Sequence, residues 1–439
     1  MDRRYFLAAV TAAAAASATS VLADDDRKTS KPTSAATPAG TVVKARVIVI
    51  GGGMAGATVA KYLRLWGDAV EVTLIERMPT YTSNIMSSLV LTGQRTMSSL
   101  SFKYDALRSK YGVTVVFGDV VAVDPITAKV TLADKTVLTA DRIVMAPGIE
   151  FDTVPGLGTS DKMPHAWKAG TQTTLLANQL KAMRSGQNMV LTIPLAPYRC
   201  PPGPYERACL IADWLKTHKP GSKLIVLDAN PDFVTEKDNF TNAFLGLHGS
   251  VIEYHNNAGV QSVDPANMTV YAAGGLTVTG AVVNMIPRQR AGGLIAATGL
   301  NNATKLAGDT AFRFAGVDVL SYASTQPGAG KVHIIGDSSA TTQPKAGHIA
   351  NQEAKVCADA ISRILAGGSP DPAPVTNSAC FSTITATQAS WLHAIFQYDS
   401  VSHSMLSVAA ATGASAGWDK DSFEDMNKWF GALMTDSFA

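Results

Sequence analysis

Charge is scarce in this sequence. Only 16% of its 439 residues are charged, and 37 Lys and Arg against 35 Asp and Glu leave a formal +2. Without a basic field there is no electrostatic footprint for nucleic acid. Cysteine is scarce as well, and four residues cannot staple a chain of this length as disulfides staple small secreted domains. The eight His show neither an HExxH nor a Cys-His ligand spacing, so no metal site is expected, and there is no CxxCH for attaching a haem. No apolar run reaches the roughly 20 residues of a stable bilayer span; residues 8–21 come nearest but are mostly Ala, Thr and Ser. What the sequence does have is length and apolarity. At roughly 150 residues per domain it predicts two or three domains, with 46% hydrophobic residues to fill a large core.

The N-terminus points to export. Arg3-Arg4-Tyr5-Phe6-Leu7 precedes the weakly apolar run, and Val21-Leu22-Ala23 stands before three consecutive Asp. This pattern predicts a twin-arginine signal over residues 1–23, cleaved after Ala23, and a periplasmic protein exported folded. Losing two Arg and one Asp takes the formal charge from +2 to +1. Residues 24–41 hold almost nothing apolar and read as a flexible leader. The thiols of the mature chain would then work in an oxidising compartment.

Chemistry begins at the β-branched run Arg46-Val47-Ile48-Val49-Ile50, followed by Gly51-Gly52-Gly53-Met54-Ala55-Gly56, a helical stretch to Trp66 and a second strand ending in Glu76-Arg77. Strand, glycine turn, helix, strand and acid form a complete dinucleotide-binding unit. Gly51 permits the tight turn, Gly53 and the following Met54 and Ala55 let backbone approach a pyrophosphate, and Gly56 allows close packing of helix on sheet. Glu76 is placed to accept hydrogen bonds from a ribose. Further on, residues 113–117, 129–132 and 136–139 alternate like a small antiparallel ribbon. Residues 141–148 read as a buried strand running through Ala146 to a turn at Gly148, and residues 331–337 as another ending in Gly336-Asp337. These two segments resemble the paired signatures of FAD-dependent pyridine nucleotide-disulfide oxidoreductases, which implies FAD in place of NAD, with Asp337 near the ribityl and phosphate region.

A second glycine fingerprint is expected in the middle of such a chain and is missing. After the strand at residues 188–193 comes Pro194-Leu195-Ala196-Pro197-Tyr198-Arg199-Cys200-Pro201-Pro202-Gly203-Pro204, too proline-rich for a tight pyrophosphate turn. The reading is a central domain that keeps its α/β fold without an NAD site.

Cys200-Pro201-Pro202-Gly203-Pro204-Tyr205-Glu206-Arg207-Ala208 is similar to the flavoprotein subunit of flavocytochrome c sulfide dehydrogenase, a relative of sulfide:quinone oxidoreductases. So are Tyr81-Thr82, residues 344–352 with Gly347 and His348, and Asn377-Ser378-Ala379-Cys380. The resemblance implies a redox-active disulfide between Cys200 and Cys380 against the flavin, Glu206 as proton acceptor, and a helix starting near Ala346 whose positive end faces the flavin ring. It also implies sulfide as substrate and a c-type cytochrome subunit that carries the haem as acceptor. An inert disulfide is the plain alternative for the cysteine pair, and a helix-dipole role is that for Glu206. His348 is equally readable as packing. One residue departs from the family: Ser83 stands where a cysteine often tethers the flavin, so FAD is expected without a covalent bond. Cys209 and Cys357 sit among apolar neighbours and read as packing thiols. The aromatics Trp391, Phe396, Tyr398, Trp418, Trp429 and Phe430 read as core, flavin cover or a partner surface, with core the default.

The expected fold is α/β: two Rossmann-like domains of the glutathione-reductase type plus a small C-terminal α+β domain. The FAD domain is discontinuous, residues 42–151 and 291–368, around a central domain of residues 152–290, with residues 369–439 following. A sulfide:quinone oxidoreductase or a non-catalytic flavin-bearing subunit are the competing functions; the weakly amphipathic, base-poor end of the chain argues against a membrane surface.

Overall fold

The computed structural model describes residues 43–439. The signal and leader expected over residues 1–41 lie outside the described residues.

The first sheet is built on β1 (Ala45–Ile50). Its unbroken run of buried β-branched residues suits a strand covered on both faces. After β1 the chain enters α1 (Met54–Trp66) and returns as β2 (Val70–Glu76). The edge strand β3 (Thr114–Phe117), β4 (Arg142–Met145) and a late strand from the far end of the chain complete the parallel core, with registers Ile50↔Ile75, Ile75↔Val116 and Ile50↔Met145. β3 corrects the sequence reading, which put residues 113–117 in an antiparallel ribbon. The ribbon exists, but its first strand is Val120–Asp124. Alternation fits either partner, and pairing with β2 partly covers Val115 and Val116 against the two cores that flank the sheet.

Both crossings to the central region meet in one short antiparallel ribbon, β5 (Ile149–Phe151) with Gln289–Ala291. Between them, β6 (Met189–Ile193) leads through the proline-rich loop into α2 (Gly203–His218), and β7 (Leu224–Asp228), β8 (Ile252–His255) and β9 (Val282–Asn284) complete a parallel sheet in the order β8-β7-β6-β9. After the return crossing β10 (Gln289–Ala291), the strand β11 (Val332–Ile334) pairs with β4 and carries the first sheet on to short strands at 323–324, 315–318 and 339–340. Next comes α3 (Gly347–Leu365), then the antiparallel strands β12 (Val375–Thr383), β13 (Ala389–Asp399) and β14 (Ser404–Ser407), and last α4 (Lys420–Phe438). From β12 onward the chain is thus an antiparallel sheet followed by one helix.

α4 works as a strap. Its apolar face, Met426, Phe430, Leu433, Met434 and Phe438, is buried in the core shared with α1 and α3; each such side chain contributes about 1.5–3 kcal/mol. Phe438 stacks on Tyr81 at 4.9 Å between ring centres. Beneath the strap lies a polar knot. The buried Asn351 amide donates to Thr58 Oγ1 (3.2 Å), Asp436 Oδ2 (2.8 Å) and Ser437 Oγ (3.1 Å), while Tyr62 and Lys355 also reach Asp436. Three helices are thereby joined at one side chain. Asn351→Ala is expected to lose about 2 kcal/mol of stability, seen as a lower urea midpoint at unchanged slope; an unmoved midpoint would assign the junction to the Lys355–Asp436 pair alone.

Candidate active site

Glycine geometry sets the floor of the site. Gly51 has φ +97°, and a Cβ there would lie 2.4 Å from the Ala146 carbonyl oxygen. A Cβ on Gly56 would lie 1.7 Å from the Gly51 carbonyl oxygen. Neither position accepts a side chain, so β1 can turn directly into α1 with its first amides facing outward.

Those amides face a cavity of about 630 Å³. At one end are Glu76, Arg77 and Met78; along the floor are Gly51, Gly53, Met54, Ala55, Ala146 and Gly148; beyond them come Gly336, Asp337, Gly347 and His348; and at the far end are Cys200, Glu206 and Cys380. Thus residues named from five separate stretches of sequence, around 51–78, 146–148, 200–206, 336–348 and 380, border one space. Two of the named residues stand behind its wall. Gly56 supports the turn from below. Ser83 is fully buried with its hydroxyl on the Ile85 carbonyl oxygen at 3.2 Å, because the chain turns inward after Tyr81 and leaves the tyrosine ring, not the serine, on the cavity surface.

Three helices begin at this cavity. α1 starts after Gly53, α2 after Pro202 and α3 after Ala346, none has a side-chain cap, and Gly53, Pro202, Gly203, Ala346 and Gly347 all border the space. Helix starts leave N–H groups unpaired and carry partial positive charge, so the cavity is built for an anionic guest. The acceptors at the Glu76 end match the rest of such a guest. The Glu76 carboxylate already takes N–H bonds from Gly52 (2.6 Å), Arg77 (2.8 Å) and Met78 (2.9 Å), which fixes it in place with lone pairs left for hydroxyl donors. A negatively charged dinucleotide with a ribose at one end fits this donor and acceptor set, and FAD is such a molecule.

At the far end, Cys200 sits at the start of α2 with φ +59°, and its N–H donates to the Lys345 carbonyl oxygen at 2.6 Å. The sulfur lies so close over Gly203 that a Cβ there would approach Sγ to 2.8 Å and the Trp167 ring to 3.0 Å. Cys380 comes from the middle of β12. His348 holds the strand beside it, accepting the Ala379 N–H on Nδ1 at 3.0 Å. Burial lowers the His348 pKa to about 4, so its ring is neutral and can accept there. Both cysteines are free thiols in this structure. Burial raises the Cys200 thiol well above its ordinary value and pushes Cys380 up to about 12, the neighbouring carboxylates adding to both. Glu206 lies beside them on α2, with Thr383 Oγ1 donating to Oε1 at 3.1 Å. Burial raises its pKa to about 7, which Thr383 and the Arg207 charge partly offset. Cys209 and Cys357 are buried in the two main cores, away from this space.

Several site residues were not singled out from sequence. Arg199 bridges to Asp337 at 3.6 Å, tying the proline-rich loop to the nucleotide side. Arg207, 1% exposed, donates to Ser88 Oγ, Asn284 Oδ1 and the Ala166 and His165 carbonyl oxygens, with its guanidinium 4.5 Å from the Trp167 ring centre. The Arg-Cys pair at 199–200 and the Glu-Arg pair at 206–207 were the available signals, but adjacency alone does not reveal burial. Trp429 corrects the reading of the late aromatics as core: it borders the cavity, while Phe396 and Phe430 are buried. Its place is set by α4 packing across β12, which periodicity does not disclose.

The central sheet also carries an acid at the end of a strand, and it is fully engaged. Asp228, at the end of β7, accepts from Tyr205 (2.7 Å), Tyr254 (2.9 Å) and the Asn230 amide (2.7 Å) and is fully buried. Packed aromatics, Tyr205, Phe233, Phe240, Phe244 and Tyr254, occupy the surroundings. Among the described residues no group of His, Cys, Asp and Glu is arranged to hold a metal ion, and no helix is long and apolar enough to cross a membrane.

Residues 173–287 match the family described as the central part of the sulfide dehydrogenase [flavocytochrome c] flavoprotein chain, and residues 45–190 match the pyridine nucleotide-disulphide oxidoreductase family. Among curated proteins, "Probable ferredoxin reductase CtmF" of Castellaniella defragrans is 37% identical over 106 residues, 24% of this chain and 26% of that protein. The match thus spans about a quarter of such relatives. Among solved structures, the sulfide:quinone oxidoreductase of Aquifex aeolicus has a TM-score of 0.71 at 16% identity, covering 89% of this chain and 91% of that one. An NAD-dependent persulfide reductase from A. fulgidus has a TM-score of 0.59 at 14% identity, covering 89% and 77%. The fold is therefore that of the FAD- and NAD(P)-binding oxidoreductases, and within it this chain is similar to the flavoprotein chain of flavocytochrome c sulfide dehydrogenase.

Proposed function

We propose that the chain is the FAD-bearing subunit of a periplasmic sulfide dehydrogenase, which oxidises sulfide through a Cys200–Cys380 disulfide and passes electrons to a separate c-type cytochrome. The observation that carries the reading is that Cys200, Cys380 and Glu206 border the same cavity as the dinucleotide-binding residues. FAD would be held by the α1 amides, Glu76 and Asp337, and it supplies the two-electron acceptor when bound. With Ser83 in place of a cysteine and turned away from the cavity, FAD is held without a covalent bond.

The protein's own part follows from sulfur chemistry. Hydrosulfide attacks one sulfur of the disulfide; a new S–S bond forms, the old one breaks, and its electron pair leaves on the other cysteine as thiolate. In so buried a setting both thiols favour protonation, so the new thiolate is a strong electron donor for want of stabilisation. Glu206, half-ionised near pH 7, is matched to receive the proton of the bound persulfide.

Burial of the apolar face of α4 against α1 and α3 supports a soluble acceptor over a quinone, because that face is not available to a membrane surface.

Anaerobic titration with sulfide is expected to bleach the bound flavin in the wild type and to fail in Cys200→Ser. Equal bleaching in both removes the disulfide from the mechanism, and no bleaching in either leaves a non-catalytic flavin-bearing subunit. Acid precipitation is expected to release the flavin into the supernatant; yellow pellet would show a covalent bond. Glu206 gives a pH signature in stability. Its folded-state pKa is raised above the ordinary 4.5, so it favours the fold below about pH 4.5 and that contribution is lost as pH rises through about 7. Glu206→Gln, which imitates the protonated form, is expected to melt higher than wild type above pH 7 and at the same temperature near pH 4. An identical difference at both ends would mean that ionisation plays no part.

A further inference from the structure

A second carboxylate stands behind Cys380. Glu236, at the start of the short helix Lys237–Thr241, has the left-handed backbone angle φ +45°. Its two oxygens accept from Ser382 Oγ at 2.6 Å and Ser390 Oγ at 2.7 Å. Ser382 and Ser390 are directly opposite each other across β12 and β13, and Ser382 lies two residues beyond Cys380 on the same face of the strand. The pair of hydroxyls therefore fixes the carboxylate on the Cys380 side of the sheet. Both serines are buried, and holding a bare carboxylate with them is costly unless it has a task or a tether to provide.

The charges divide between the two sulfurs. Among carboxylates, Glu206 acts most strongly on Cys200 and Glu236 most strongly on Cys380. Cys380 otherwise faces Ser378 and Glu206; Cys200 faces Cys380 and Arg199. Glu206 is itself held by Thr383 and faced by Arg207 and by Glu236, and Glu236 is held by Ser382, Ser390 and Asn239.

We propose that Glu236 is a positioning residue that holds the proton balance of Cys380, as Glu206 holds that of Cys200, so that each sulfur of the pair has its own carboxylate. This rests on the disulfide reading above. When the dithiol closes, two S–H bonds break and one S–S bond forms; two electrons leave to the flavin, and two protons leave the sulfurs. Glu206, on the cavity with both sulfurs, takes one proton; the other leaves through the cavity to solvent, and the charge of Glu236 behind Cys380 sets how readily that sulfur gives it up.

The test uses the purified flavoprotein, reduced with excess dithiol under argon, freed of reductant, and alkylated with iodoacetamide across a pH series. Mass spectrometry then reads Cys200 and Cys380 separately. Gln at position 236 keeps an amide that can bond both serines but carries no charge. Glu236→Gln is expected to lower the alkylation midpoint of Cys380 by about one unit and to leave Cys200 nearly in place, whereas Glu206→Gln moves Cys200 most. Glu236→Asp, with its charge drawn back, is expected to give a smaller shift of the same sign and serves should the amide fail to fold. Equal movement of both cysteines, or of neither, overturns the proposal. The assay needs no sulfide, so a protein that sulfide fails to reduce but that shows the split shift loses the sulfide reading and keeps the two-carboxylate one.

Discussion

Three helix starts without side-chain caps converge on one cavity, and the rest of the site answers to that concentration of partial positive charge. Unpaired N–H groups in a shared, partly enclosed space are unfavourable until an anion meets them. The glycine turn exists to bring α1 this close, the proline-rich loop to start α2 beside the cysteine, and the segment around Lys345 and Ala346 to aim α3 at the same point. Acidic groups are placed around the edge rather than on the floor: Glu76 is held by three amides, and Asp337 is bridged by Arg199. The cavity keeps its positive floor because its carboxylates are otherwise engaged.

The far end obeys the opposite constraint. There, burial works against every charge, raising the thiols and Glu206 and lowering His348. Neutral forms are the resting forms, and charge appears only when a bond is broken. Arg207 is the exception, a buried cation held by neutral acceptors and an aromatic face, next to Glu206 in sequence and bordering the same cavity. The Thr383 hydrogen bond and then the Arg207 charge work against the effect of burial on Glu206. The central sheet shows the same economy: Asp228, at the end of β7, is bonded to two tyrosines inside a packed aromatic cluster.

Much of this was legible in the sequence because the signals were local. The strand, glycine turn and helix around Gly51 to Gly56, the acid at Glu76 and the buried strands before Ala146 and Asp337 each carry their meaning within a few residues. The cysteine loop was legible by its unusual composition. What escaped was set by partners distant in sequence. Residues 114–117 alternate as a ribbon strand would, and only the neighbouring β2 decides otherwise. Ser83 stands in the right place in the chain, yet its side chain is turned inward by contacts with Ile85. Trp429 looked like core because an aromatic usually is; it meets the cavity through the crossing of α4 over β12. Glu236 had no motif at all, since its meaning comes from two serines roughly 150 residues further along the chain, and sequence spacing carries no trace of such an encounter.

The strap formed by α4 has a consequence for how long a guest can stay. Met426 and Trp429 border the cavity, and Phe438 packs on Tyr81, which borders it too. The walls of the space are thus contributed by segments far apart in the chain, the turn after β1 and the helix α4. With β1, α1 and β2 alone the glycine turn would stand open, and a guest that met it could leave again. Enclosure depends on the docking of α4, so loosening the strap would free a guest without any change at the glycines.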